Sequence, residues 1–244
     1  MSESAKTKVL VVDDENDLAQ LVASSFEDSG CETKVALNAT EAILAFKEFQ
    51  PQIVLSDVRM PGGASGFDLL KAIRQLKSDQ VMALMTGFSD IPVQDMYHAG
   101  ACDVFQKPFD RKKMSQKLLA RLKPLKDQLS QSSGVVLGAQ LNETLSSLES
   151  VESENKFRLG HLGFFIAQAV PQWEIGTPLA IKISFSQGNP KSIEGEGVVR
   201  WVRRTADSGP AGLGVELVHL EAGCLDPVGP LLDKLKNSYA IPRA

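Results

Sequence analysis

The sequence predicts an α/β domain followed by an all-β one: a five-stranded, doubly wound parallel sheet, then a small antiparallel β-barrel. Three observations lead there. Between residues 8 and 123, five short apolar runs alternate with five stretches of helical spacing. From about residue 153 the period changes to strict alternation, punctuated by glycine-rich turns. The chain has 244 residues, enough for two domains.

The first run, "KVLVVD", is apolar throughout, as expected of a strand buried on both faces. "NDLAQLVASSF" follows with Leu18, Leu21, Val22, Ser25 and Phe26 at helical spacing, and Gly30 can stop that helix. "CETKVAL" is a second strand. "NATEAILAFKEF" opens with Asn38 and Glu41, a start resembling a capping box. After Pro51, "QIVLSD" is a third strand, "FDLLKAIRQL" a helix, "VMALMTG" a fourth strand and "VQDMYHAG" a short helix. "CDVFQKP" is the fifth strand. "DRKKMSQKLLARL" is the fifth helix, with Asp110 as N-cap and Pro124 beyond its end.

In such sheets ligands bind at the carboxyl ends of the strands. Strand one ends at Asp13 and Asp14, strand three at Asp57, strand four at Thr86 and strand five at Lys107, so all five side chains should meet on one rim. Three close carboxylates repel unless a cation joins them. The lack of nearby His or Cys favours a hard ion, and Mg²⁺ takes one or two carboxylates while keeping several waters. A carboxylate, a metal ion, an ammonium and a hydroxyl at one point can carry phosphoryl transfer. Asp57 is the candidate nucleophile, forming an acyl phosphate. Lys107 and the metal would neutralise charge on the phosphoryl oxygens.

"VVDDE", "SDVRMPGG", "MTG" and "QKPF", in this order, resemble the CheY-like receiver domains of two-component response regulators, which have a flavodoxin-like sheet. The resemblance covers residues 6–123. It implies that Asp57 accepts phosphate from a histidine kinase or phosphotransfer protein. It implies that Asp14, Asp57 and the Arg59 backbone carbonyl hold Mg²⁺, with Asp13 supporting the metal's water shell. It further implies that Lys107 contacts the phosphoryl group, next to a Pro108 often preceded by a cis peptide bond. Two departures stand out. Gly66 falls five residues after Pro61, one more than the usual "MPxxxG" spacing. Val104 occupies the position of the family's switch aromatic, with Phe105 after it.

"LKDQLSQSSG" reads as a polar linker. Beyond it, Leu137, Leu141, Leu145 and Leu148 form a stripe at helical spacing, so residues 125–152 are expected to be a partly helical linker between a 1–124 domain and a 153–244 domain. The stripe could dock on its own chain, the favoured reading, or pair with a second copy to give a homodimer.

In the last part, "LAIKISF" alternates strictly, with Leu179, Ile181, Ile183 and Phe185 on one face. "QGNP" is a turn, "EGEGVVRWVRR" a long strand with bend-permitting glycines, "SGPAG" a turn, and "LGVELVHL" a strand; "GHLGFFIAQA" is an earlier strand and "PVGPLLDKLKNSY" a final helix. "LGFFIA", "IGTPLAIKISF", "EGVVRWVRR" and "GLGVELVHL" resemble the signatures of PilZ domains. That family commonly binds cyclic di-GMP through arginines and short polar residues. Here Arg158 and Gly160 replace the usual polar pair and only Gly163 matches, so the domain resembles a degenerate member. Arg158, Arg203 and Arg204 are candidates for a nucleotide phosphate contact.

Residues 151–244 carry ten basic and ten acidic side chains, and no helix-turn-helix pattern is visible, so no DNA partner is expected. No further catalytic constellation suggests an enzyme. Net charge is −4, the N-terminus lacks an apolar core, and no stretch is long and apolar enough to span a bilayer, so no membrane insertion is expected. Three scattered cysteines fit a reduced, cytoplasmic protein without disulfides. The expected downstream partner is an unknown protein.

Overall fold

The computed structural model describes residues 6–61, 63–87, 91–130, 134, 137–154, 156–167, 173–204, 210–235 and 241. They divide into two compact units: one runs to Pro92 and includes Ala99–Leu122, the other comprises Val93–His98 and the chain from Lys123.

The first half is an alternating α/β chain: β1 (Lys8–Val12), α1 (Asn16–Glu27), β2 (Glu32–Ala36), α2 (Ala39–Phe49), β3 (Ile53–Asp57), α3 (Gly66–Leu76), β4 (Val81–Thr86), α4 (Val93–His98), β5 (Asp103–Gln106) and α5 (Arg111–Ala120). The five strands pair in parallel in the order β2-β1-β3-β4-β5. The order reverses between β1 and β3, which opens a crevice at their carboxyl ends. Val9–Val12 and Ile53–Leu55 are fully buried, as central strands covered on both faces must be. α1 buries Ala19, Val22, Ala23 and Phe26, while Leu21 stays half exposed. Gly30 turns the chain with φ +83°.

The starts of α2, α3 and α5 carry side-chain caps. Asn38 accepts from Glu41 N at 2.9 Å and Asp110 from Lys113 N at 3.0 Å. Ser65 and Asp68 form a reciprocal capping box at α3, a start the sequence reading did not assign. Edge strand β5 is tied to α5 by the buried Asp103, which takes Lys117 Nζ at 2.5 Å and Arg121 Nη2 at 2.9 Å. That pairing removes the cost of a bare buried carboxylate.

The second unit contains α6 (Leu125–Leu129), β6 (Ala139–Leu145), α7 (Leu148–Ser153), β7 (Phe157–Leu159), β8 (Gly163–Ala167), β9 (Pro178–Phe185), β10 (Ser192–Arg203), β11 (Gly212–Leu220) and α8 (Ala222–Lys234). Its six strands form one sheet in the order β6-β9-β10-β11-β8-β7. The expected alternation on β9 is present: Leu179, Ile181, Ile183 and Phe185 are all buried. Phe157, Phe164 and Phe185 cluster in the core, and Phe165 stacks on Trp201. Register shifts at Glu196/Gly197 and Val199/Trp201 curl the long β10.

Several expectations are corrected here. The sheet is mixed, because β6 pairs in parallel with β9 while the other pairs are antiparallel. Among the described residues no ladder joins β6 to β7, so a closed barrel is not seen. Residues 139–145, read as helical linker, are a strand of this sheet. A spacing of four fits both periods: Leu141 and Leu145 share a face in a helix and, four being even, in a strand as well. Pro124 does not merely end α5; it stands at the start of α6. α6 belongs to the second unit, with Leu125 and Leu129 buried, His219 Nδ1 at 3.0 Å from Leu129 O and Lys126 Nζ at 3.0 Å from Asp226. α8 begins at Ala222, before the expected start. Parts of the expected linker (131–133, 135–136), the end of "GHLGFFIAQA", the start of "SGPAG" and residues 236–239 lie outside the described residues. Among the described residues no helix is long and apolar enough to cross a membrane. Cys31, Cys102 and Cys224 are buried free thiols.

Candidate functional site

Parallel pairing brings the carboxyl ends of β1, β3, β4 and β5 to one rim, and the polar residues predicted from the sequence sit there. Lys107, just past β5, extends its ammonium between two acids. Nζ lies 2.6 Å from Asp57 Oδ1 and 3.0 Å from Asp13 Oδ2. Asp13 is 1% exposed and Asp57 6%, so both depend on partners rather than on water. Asp13 Oδ1 also accepts from Glu15 N at 3.0 Å, and Asp57 Oδ2 from Arg59 N at 2.8 Å. The Lys107 amide donates to Thr86 O at 2.7 Å, fixing β5's exit against β4's. The Lys107–Pro108 peptide bond is cis.

Thr86 is buried, and its hydroxyl has no hydrogen-bond partner among the described residues. A buried hydroxyl without a partner is costly and is uncommon away from functional sites. Asp14, by contrast, is exposed. Among the described residues no preformed cluster of three metal-ligating side chains exists. Lys107 stands where a cation would otherwise balance Asp13 and Asp57.

The electrostatics follow from this packing. Burial pushes the Asp57 carboxyl above its ordinary pKa; Lys107 pulls it down and Asp13 pushes it up again, leaving it raised. Burial works against the Lys107 ammonium, but Asp57 and Asp13 more than offset it and hold its pKa above the ordinary lysine value.

Two site residues escaped the sequence reading as participants. Ser56, fully buried on β3, donates from Oγ to the Asp57 carbonyl at 2.9 Å. Gly66, noted only for its spacing, begins α3 directly against β3: a Cβ there would fall 1.8 Å from Asp57 O and 2.7 Å from Ser56 Oγ. The pattern Ser-x-x-Asp at residues 65–68 was the available signal for where α3 starts.

Residues 9–119 match the family described as response regulator receiver domain. This segment is a response regulator receiver domain. DNA-binding response regulator MtrA of Mycobacterium tuberculosis is 29% identical over 126 residues, 52% of this chain and 55% of MtrA. Regulatory protein AtoC of Escherichia coli is 32% identical over 111 residues, 44% of this chain and 23% of AtoC. The C4-dicarboxylate transport transcriptional regulatory protein DctD of Rhizobium meliloti is 35% identical over 114 residues, 46% of this chain and 25% of DctD. The crystal structure of the NtrX receiver domain from Brucella abortus is 30% identical, covering 47% of this chain and 97% of that one, with a TM-score of 0.44. The chain thus spans about half the length of MtrA and a quarter of AtoC and DctD.

These relatives correct one expectation. Balanced charge in residues 151–244 and the lack of a visible helix-turn-helix pattern predict no DNA partner, yet MtrA is named as DNA-binding and DctD as a transcriptional regulator. A formal sum says nothing about how charges are arranged on a surface.

The arginines suggested for nucleotide contact are placed differently from one another. Arg158 lies half-buried on β7. Arg203 is buried, with its guanidinium 5.6 Å from the Trp201 ring and Nη1 3.2 Å from Pro210 O. Arg204, just past the end of β10, is exposed and pairs with Glu174 at 2.7 Å. Arg200 pairs with the buried Glu216, its Nε 2.6 Å from Oε2.

Proposed function

We propose that the chain is a response regulator of a two-component phosphorelay, phosphorylated on Asp57. The observation that carries this reading is Lys107 Nζ bridging Asp57 and Asp13 at the sheet's switch point. A histidine kinase or phosphotransfer protein is the donor. An Asp57 carboxylate oxygen attacks phosphorus, the bond from phosphorus to the donor imidazole breaks, and the nitrogen keeps the electron pair. Lys107 then contacts the phosphoryl oxygens, and the Thr86 hydroxyl gains the acceptor it lacks.

The oxygen-only donor set at this rim fits a hard divalent cation. Asp14, Asp57 and the Arg59 carbonyl would hold Mg²⁺, with Asp13 supporting its waters. Bound there, the ion supplies positive charge to the phosphoryl oxygens. Incubation with a small acyl-phosphate donor and Mg²⁺ should add one phosphoryl group to the wild type, seen by intact-mass measurement, and none to Asp57→Asn. A modified Asp57→Asn chain, or an unmodified wild type, overturns the reading.

The second unit is the output. Its PilZ-like signatures support a sensing or docking role. A cyclic di-GMP contact rests on those signatures alone, and neither Arg203, which is buried, nor Arg204, which pairs with Glu174, is presented for one. The names of MtrA and DctD make DNA a candidate target. Titrating duplex DNA and cyclic di-GMP against the full chain, with and without phosphodonor, separates these outputs.

A further inference from the structure

We infer that Ser56 and Gly66 clamp the peptide between Asp57 and Val58, and so position both the Asp57 carboxylate and the Arg59 carbonyl for a divalent cation. The inference rests on the phosphoacceptor reading above. Ser56 Oγ donates to the Asp57 carbonyl at 2.9 Å, within the buried end of β3. The same carbonyl lies against the bare Cα of Gly66, where any Cβ would overlap it. At the other end of this peptide, Val58 N donates to Met85 O at 2.9 Å.

A peptide unit is planar, so holding its oxygen on one side and its nitrogen on the other leaves little freedom about Asp57 ψ and Val58 φ. Those two dihedrals direct everything that follows. Gly66 N donates to Val58 O at 3.0 Å, which closes the loop back on itself. Arg59 N reaches Asp57 Oδ2 at 2.8 Å, so the nucleophile and the residue whose carbonyl would face the cation are oriented by one plane. Ser56 touches neither the cation nor the phosphoryl group on this account. It is a positioning residue, and Gly66 is the surface it works against.

Threonine and valine have the same shape at position 56, and only threonine keeps the hydroxyl, so any packing burden is shared. Mg²⁺ affinity of the full chain is read by calorimetry, without phosphodonor. Ser56→Thr is expected to bind Mg²⁺ about fivefold more tightly than Ser56→Val, the scale of one neutral hydrogen bond. Phosphorylation rates at subsaturating Mg²⁺ should fall in the same order, and the gap should narrow at saturation. Equal Mg²⁺ affinity of the two variants overturns the clamp, as does a wild type that does not bind Mg²⁺. If neither variant folds, Ser56→Ala against wild type decides, and unchanged affinity again overturns it. Failure of the phosphoacceptor reading looks different: Mg²⁺ affinities differ as expected, yet the wild type is never modified on Asp57.

Discussion

Gly66→Ala is expected to cost about 3 kcal/mol of stability, the upper part of the range for overpacking a filled site. It should also slow phosphorylation of Asp57 about a hundredfold, as an ångström-scale misplacement of a reacting group can do. The new Cβ would stand 1.8 Å from Asp57 O and 2.8 Å from Asp57 C, both backbone atoms of a central strand. Neither can rotate aside as a side chain would. β3 is held on both edges, by β1 and β4, so α3 must give way instead. The Ser65–Asp68 capping box and the buried Leu69, Leu70 and Ile73 resist that movement. Gly63→Ala is the control in the same loop, since a Cβ there meets nothing within 4 Å. Urea midpoints and phosphodonor kinetics read both variants, and a Gly66→Ala chain matching Gly63→Ala would refute the close-packing argument.

Lys107→Ala is the second large effect. It leaves Asp13 and Asp57, both buried, facing each other without a cation. Removing one partner of a buried ion pair costs about 3–5 kcal/mol, and because the Lys107 side chain is 24% exposed the lower end applies. The loss depends on pH with a definite sign. Asp57 already has a raised carboxyl because of its burial, and Lys107 is the main influence opposing that rise. Without Lys107 it climbs further. A carboxyl whose folded pKa exceeds its unfolded one holds its proton more firmly when folded. Its stabilising contribution is complete in acid, below the unfolded pKa, and is lost as pH rises through the folded pKa. Lys107→Ala should therefore be weakest at neutral pH and approach wild type in mild acid. By the same sign, Asp57→Asn should be more stable than wild type at neutral pH, with the difference closing as pH falls. Denaturation midpoints across that range check both, and a Lys107→Ala curve parallel to wild type would contradict the account.

How much of this was legible beforehand differs by element. The receiver's strands announced themselves as apolar runs ending in Asp13, Asp57, Thr86 and Lys107, because a doubly buried strand leaves no other composition available. Strand β9 was equally plain from its alternation. β6 was not, since a leucine every fourth residue satisfies two periods and only its partner β9 decides between them. The exposure of Asp14 beside the buried Asp13 could not be read from two identical letters. The role of Gly66 was hidden for a different reason: its spacing from Pro61 is visible, but what an absent side chain makes room for is a property of another strand. The contacts holding α6, from His219 and Asp226, join residues about a hundred positions apart and leave no local trace.

The parallel β6–β9 ladder has a practical consequence for anyone dividing the chain. A fragment cut at residue 153 would lack α6 and β6, stripping the hydrogen-bonding flank from the apolar β9. A long bare strand rim invites aggregation. Starting the fragment at Lys123 keeps that rim sheltered, so solubility of the excised half should hinge on those thirty residues and not on the domain boundary its composition suggests.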